Sequence, residues 1–170
     1  LTHRNFITRL NIKRRNTMKK IASFTVDHRF ITEGIYISRV DGTVTTYDLR
    51  TRKPNCGDFM DNETMHTFEH MFATFVRNSS IADNVLYFGP MGCQTGFYLL
   101  INDADNDNVR KVVIDVLENI VSYGGEVFGA SEIECGNYKT LNLEKAKAEA
   151  VRYLDALKED NNNCIYPKGE

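Results

Sequence analysis

The chain has 170 residues, 42% hydrophobic and 26% charged, with a formal net charge of −2, the profile of one soluble globular domain and not of a fibre, a disordered tail or two full domains. At this length it buries roughly 70% of the surface its unfolded chain exposes, so it needs no disulfide or metal staple, and a metal bound here is expected to serve function. The longest apolar stretches, such as Phe97 to Ile101, fall far short of the roughly 18 to 20 residues that span a bilayer, which excludes helical membrane insertion.

Charge is unevenly spread. Residues 1–17 carry Arg4, Arg9, Lys13, Arg14 and Arg15 and no acid, leaving 16 basic against 23 acidic residues, a balance of −7, for residues 18–170. A body that acidic is a poor partner for nucleic acid. The segment begins with Leu, and Met18-Lys19-Lys20-Ile21 reads like a translation start, so residues 1–17 are expected to be a non-native or mis-called N-terminal extension. An Arg-rich organellar transit segment is the rival reading. Cys56, Cys93, Cys135 and Cys164 are spaced 37, 42 and 29 apart, with no paired spacing. Without an export signal they are expected to be free thiols in a cytoplasmic setting.

One domain is expected over residues 18–158, followed by a flexible tail over 159–170. Ser23 to Phe30 is a short mixed segment. Ile35–Val40, Asp41-Gly42 and Thr43–Leu49 read as a hairpin, because Asp-Gly favours the positive φ of a two-residue connection. Asp61 or Asn62 caps a helix whose apolar face is Met65, Phe68, Phe72 and Phe75. Val85–Phe88 and Phe97–Ile101 are strands flanking the loop Gly89–Gly96. The strongest helix runs from Asn108 to Tyr123, with Val109, Val112, Val113, Val116, Leu117, Ile120 and Val121 on one stripe and Gly124-Gly125 at its end. A short strand is expected at Glu126–Phe128, and Asn142 caps a last helix from Leu143 to about Lys158. The whole reads as α+β, an antiparallel sheet packed with helices in a single domain.

His66-Thr67-Phe68-Glu69-His70 puts two imidazoles at i and i+4 of the first long helix, close enough to grip one ion. Two polar residues on a solvated helix face is the bland account. Against it stands the H-x-x-E-H pattern, in which two His bind zinc and Glu carries the proton. A third ligand must come from elsewhere. Cys135, beside Gly136, suits a site left open at one position, and equally suits a buried thiol. Cys93 sits in a Gly-bracketed loop between two strands, where a nearby cation would favour the thiolate, and the same alternative holds for it.

Taken together, five pieces resemble the S-ribosylhomocysteine lyase family, LuxS, the autoinducer-2 synthases. They are S-F-T-V-D-H at 23–28, T-Y-D-L-R at 46–50, H-T-F-E-H at 66–70, G-P-M-G-C-Q-T-G-F-Y at 89–98 and E-C-G-N at 134–137. The resemblance makes residues 18–158 a metal-dependent lyase domain, and it implies that His66, His70 and Cys135 hold one divalent metal per subunit, natively iron(II) and often zinc. It implies that Cys93 and Glu69 are the acid/base pair, and that Ser23, His28 and Arg50 line the substrate pocket from the partner subunit of a homodimer with two shared sites. The implied reaction converts S-ribosylhomocysteine to homocysteine and 4,5-dihydroxy-2,3-pentanedione. Two positions depart from the family pattern: Tyr87 stands where Asp is common and Gln94 where Arg is common. Neither is a metal ligand, so activity is expected to survive. An HxxEH zinc metallopeptidase is the competing class, but it leaves Cys93 and Cys135 idle and usually takes a downstream Glu as its third ligand.

Overall fold

A computed structural model of the protein describes residues 18–168; the basic segment 1–17, expected to be an extension, lies outside them. The order of elements is β1 (Gly34–Asp41), β2 (Val44–Arg50), α1 (Asn62–Val76), β3 (Val85–Pro90), β4 (Gly96–Asn102), α2 (Asn106–Ser122) and α3 (Leu143–Glu159). The strands form one antiparallel sheet in the order β1-β2-β4-β3, and the three helices pack on one of its faces, giving a single α+β domain. No helix among the described residues is long and apolar enough to cross a membrane.

The β1–β2 hairpin forms as expected, with Asp41 paired to Val44. The connecting residues are Gly42 and Thr43, and it is Gly42, at φ +62°, that supplies the left-handed backbone. Alternation then divides β2. Tyr47 and Leu49 point into the core, while Thr46, Asp48 and Arg50 point to the other face. The core is built around stacked rings: Phe68 lies 4.9 Å from Phe97, Phe72 4.3 Å from Phe88, and Phe88 5.1 Å from Phe97.

Asp61 caps α1, its side chain accepting from the Thr64 N–H at 2.7 Å. The buried stripe is Thr64, Thr67, Phe68, Met71, Phe72 and Val76, turned by part of a residue step from the expected one, and Met65 and Phe75 are only partly buried. Helix α2 keeps its stripe from Val109 to Ile120, with Val121 at the margin. It begins at Asn106 under an Asp105 cap, and it ends as Tyr123 goes extended, without a left-handed glycine. Asn142 caps α3 as expected.

Two expectations fail. Glu126–Phe128 is loop, not strand, because the Phe128 carbonyl turns toward α1 to accept from His70. The segment after α3, expected as a flexible tail, packs along the free edge of β1. The Ile37 N–H donates to the Cys164 carbonyl at 2.7 Å and the Ile35 N–H to Asp160 Oδ2 at 3.3 Å, satisfying donors that an edge strand would otherwise leave open.

Lys145, and then the Thr64 N–H, hold the Asp61 carboxyl down to about 2. A carboxyl depressed on folding adds stability that is present above about pH 3.9, its ordinary value, and is lost as pH falls toward 2. Replacing Asp61 with Ala should lower stability by about 1 kcal/mol in urea denaturation at neutral pH, with the gap between variant and parent closing below pH 4.

Candidate metal centre and thiol site

The geometry of α1 sends His66 and His70 to one side of the helix while Phe68 and Phe72 enter the core. Their rings meet edge to face with centroids 4.7 Å apart. The loop between α2 and α3 then supplies a third group. Cys135 Sγ lies 3.3 Å from His66 Nε2, and one ligand atom from each of His66, His70 and Cys135 falls within 4.8 Å of the other two. Tetrahedral coordination at ordinary Zn–N and Zn–S lengths separates ligand atoms by about 3.3 to 3.8 Å, so a small closure of these side chains accommodates an ion.

Hydrogen bonds set the imidazoles for that use. The Phe128 carbonyl can only accept, so His70 Nδ1, 2.7 Å away, carries the proton and leaves Nε2 as the free lone pair. His66 Nδ1 lies 3.1 Å from Thr140 Oγ1, whose own proton goes to the Asn137 carbonyl at 3.0 Å. The hydroxyl therefore accepts from Nδ1–H, and again Nε2 is free. Burial, and then neighbouring His70, push the His66 imidazole below its ordinary range, which keeps it neutral. The Asn137 N–H donates to Cys135 Sγ at 3.4 Å, a contact that suits a thiolate. Gly129 has φ +70°, and a Cβ on it would stand 3.1 Å from His70 Nδ1. Glu69 is half-buried beside this group and makes no hydrogen bond among the described residues. It lines an open depression of about 610 Å³ with Met65, His66, Pro90, Asn137 and Thr140.

A second cluster lies on the sheet face away from the helices. Arg50 is 2% exposed and Asp48 1%. Arg50 Nη2 donates to Asp48 Oδ2 at 2.5 Å, and Nη1 donates to Thr95 Oγ1 at 2.6 Å and sits 3.8 Å from Cys93 Sγ. Thr95 Oγ1 is 3.1 Å from the same sulfur. Cys93 itself is exposed at the tip of the loop 91–95. That loop is tied down by Gln94, at φ +62°, whose carbonyl accepts from the Met60 N–H. His28 is half-buried, with Nδ1 3.0 Å from the Val26 carbonyl. Ser23 lines a separate hollow of about 400 Å³ with Ser38, Arg39, Tyr87 and Tyr98.

Within one chain, then, the structure joins His66, His70 and Cys135, with Glu69 alongside, and joins Arg50 to Cys93. Among the described residues no hydrogen bond connects Cys93 with Glu69 or with either histidine. Arg50 and Cys93 touch within one chain. Tyr87 is half-exposed, Gln94 contacts Met60 through its backbone carbonyl and Asn62 through its side chain, and neither belongs to the ligand group. Sequence reasoning missed Thr140, the Phe128 carbonyl and Gly129, none of which belongs to a motif. The signal for Asp48 was its place two residues before Arg50 on the same strand face.

Comparison with known proteins decides the family. The family model for S-ribosylhomocysteinase (LuxS) matches residues 21–164. The chain belongs to the S-ribosylhomocysteinase (LuxS) family. It is 44% identical over 157 residues to the S-ribosylhomocysteine lyase of Borreliella burgdorferi, covering 88% of this chain and 100% of that protein. It is 42% identical over 158 residues to the enzyme of that name from Desulfotalea psychrophila, 88% and 99% covered, and 41% identical over 157 residues to that of Finegoldia magna, 89% and 100% covered. Membership in the LuxS family removes the metallopeptidase alternative. The geometry agrees: Glu134, the acid next to the third ligand position, is engaged by Ser131 at 2.5 Å and stands outside the group.

Thr140→Val removes the acceptor that orients His66 and should weaken metal binding roughly ten- to hundredfold, read by competition with a chromophoric chelator. Retention of parental affinity would show that the Nδ1 contact has no part in setting the ligand.

Proposed function

We propose that this chain is an S-ribosylhomocysteine lyase, releasing L-homocysteine and 4,5-dihydroxy-2,3-pentanedione, the autoinducer-2 precursor. The observation that carries this is the coincidence of family membership with a His₂Cys group and a separate cation-flanked cysteine. The reading takes His66, His70 and Cys135 as ligands of one divalent metal per subunit, iron(II) natively and zinc as a substitute. Three protein ligands fit a centre with one position left for substrate. When bound, such a metal supplies Lewis-acid polarisation of the sugar oxygens with no redox change.

The reaction needs two carbonyl shifts along the ribosyl chain before the carbon–sulfur bond can leave by β-elimination. Each shift removes a proton from one carbon and returns one to its neighbour. Cys93 is assigned that work, with Arg50 Nη1 and the Thr95 hydroxyl beside its sulfur. Glu69, free of hydrogen bonds among the described residues and facing the depression, moves protons among oxygens and protonates the leaving sulfur. Ser23, His28 and Arg50 bind the substrate.

The proposed assembly is a cytoplasmic homodimer with shared sites. Support comes from the sheet face opposite the helices, where the exposed Ile21 and Tyr87 line a hollow with Thr46, Tyr98 and Leu100, a surface that suits a second copy. Because Arg50 and Cys93 touch within one chain, one protomer contributes both to a given site, and the ligand group comes from the other.

Free thiol released from S-ribosylhomocysteine tests the activity directly. Cys93→Ala should keep its metal and release no thiol, and Cys135→Ala should lose most of its metal by elemental analysis while remaining folded. Mixed dimers of His66→Ala and Arg50→Ala chains should recover up to half the parental activity per heterodimer, whereas mixing Cys93→Ala with Arg50→Ala should recover none. Recovery in the second mixture would separate Cys93 from Arg50 and overturn this division of the site between protomers.

A further inference from the structure

Tyr166 lies two residues beyond the segment that matches the family model, yet it reaches into the Arg50 cluster. Its ring stacks on Tyr36, with centroids 4.7 Å and planes 7° apart. Its hydroxyl donates to Asp48 Oδ2 at 2.7 Å, and the same oxygen accepts from Arg50 Nη2. Asp48 Oδ1 and Arg50 Nε, both buried, have no partner among the described residues. The carboxylate is thus fixed through one oxygen by two donors. With Nη2 committed there, the rigid guanidinium fork can turn only Nη1 toward Thr95 and Cys93. The segment that carries Tyr166 is itself tethered, since the Cys164 carbonyl caps the edge of β1 and the Cys164 N–H donates to Asn162 Oδ1 at 2.7 Å. Burial, and then Asp48, push the Tyr166 hydroxyl well above the ordinary phenol range, so it remains a donor wherever the protein is folded.

We propose that Tyr166 is a positioning residue for the chemistry at Cys93: acting through Asp48, it fixes the edge of Arg50 that faces the thiol, making the C-terminal segment a working part of the site. Its consequence for turnover rests on the lyase reading, whereas its effect on the thiol does not. Tyr166→Phe tests it with little disturbance, because the ring and its stack on Tyr36 remain and one hydroxyl is removed. The first readout is alkylation of Cys93 by iodoacetamide at pH 7 in the metal-loaded full chain, followed on the Cys93 peptide by mass spectrometry so that the other cysteines do not contribute. The rate should fall by roughly three- to tenfold, the scale of one ordinary hydrogen bond, because the lost bond acts on the thiol only through Asp48 and Arg50. The turnover number should fall in step while melting temperature and metal content stay at parental values. Asp48→Asn should slow alkylation at least as much, and the double variant no more than Asp48→Asn alone, because one residue works through the other. An alkylation rate in Tyr166→Phe equal to or faster than the parent overturns the proposal, as do additive losses in the double variant. Should Asp48→Asn fail to fold, the Tyr166→Phe rate decides alone. Absence of thiol release from S-ribosylhomocysteine in the parent would refute the lyase reading and leave the alkylation comparison able to decide this one.

Discussion

A proton on Nδ1 of each imidazole is the constraint from which the ligand group follows. An imidazole that keeps its Nδ1 proton offers Nε2 as a lone pair, and the structure secures this twice: with a backbone carbonyl at His70, and with a hydroxyl whose own proton is already used at His66. Both acceptors lie in the segment between α2 and α3, which also carries Cys135. That segment therefore brings the third member of the candidate ligand group and orients the other two. Residues 126–128 are loop outside the four-stranded sheet, and the Phe128 carbonyl is taken by His70.

The second constraint is electrostatic. Arg50 and Asp48 are nearly inaccessible, and a pair of that kind is costly to take out of water unless further hydrogen bonds complete it. Thr95 and Tyr166 contribute those bonds here, with two polar atoms still left over. A buried pair of this kind is weak evidence for stability in itself, and the guanidinium also lies 3.8 Å from Cys93. The same packing that hides the guanidinium in the sheet leaves the Cys93 sulfur exposed on a short loop beside it.

Much of this was legible in the residues. The hairpin, the three long helices with the Asp61 and Asn142 caps, and the strand pair around residues 89–96 follow from periodicity and turn chemistry, whereas the Asp105 cap of α2 was not read; the i, i+4 histidines announce themselves because helical spacing alone brings them together. Cys135 joined them only as one of two readings of its context and through the family resemblance, since 69 residues separate it from His66 and only the loop path brings them together. Tail packing was hidden for a different reason: Asn161-Asn162-Asn163 has the composition of a solvated segment, and its order comes from the unpaired edge of β1, a partner no local pattern reveals. The rotation of the α1 stripe is subtler. Thr64 and Thr67 are buried as satisfied hydroxyls, Thr67 donating to the Glu63 carbonyl and accepting from the Asn142 N–H, so counting only apolar residues placed the face slightly off.

Whether the His₂Cys group forms a centre with a position open to the sugar is read most directly by reconstitution with cobalt(II). Four-coordinate cobalt absorbs far more strongly in the visible than six-coordinate cobalt, and a thiolate ligand adds a charge-transfer band. An open centre of this kind predicts intense visible absorption with the thiolate band, loss of that band in Cys135→Ala, and a spectral change when S-ribosylhomocysteine is added to the Cys93→Ala protein, which binds but does not turn over. A weak spectrum without the thiolate band, or one indifferent to the substrate, would contradict it.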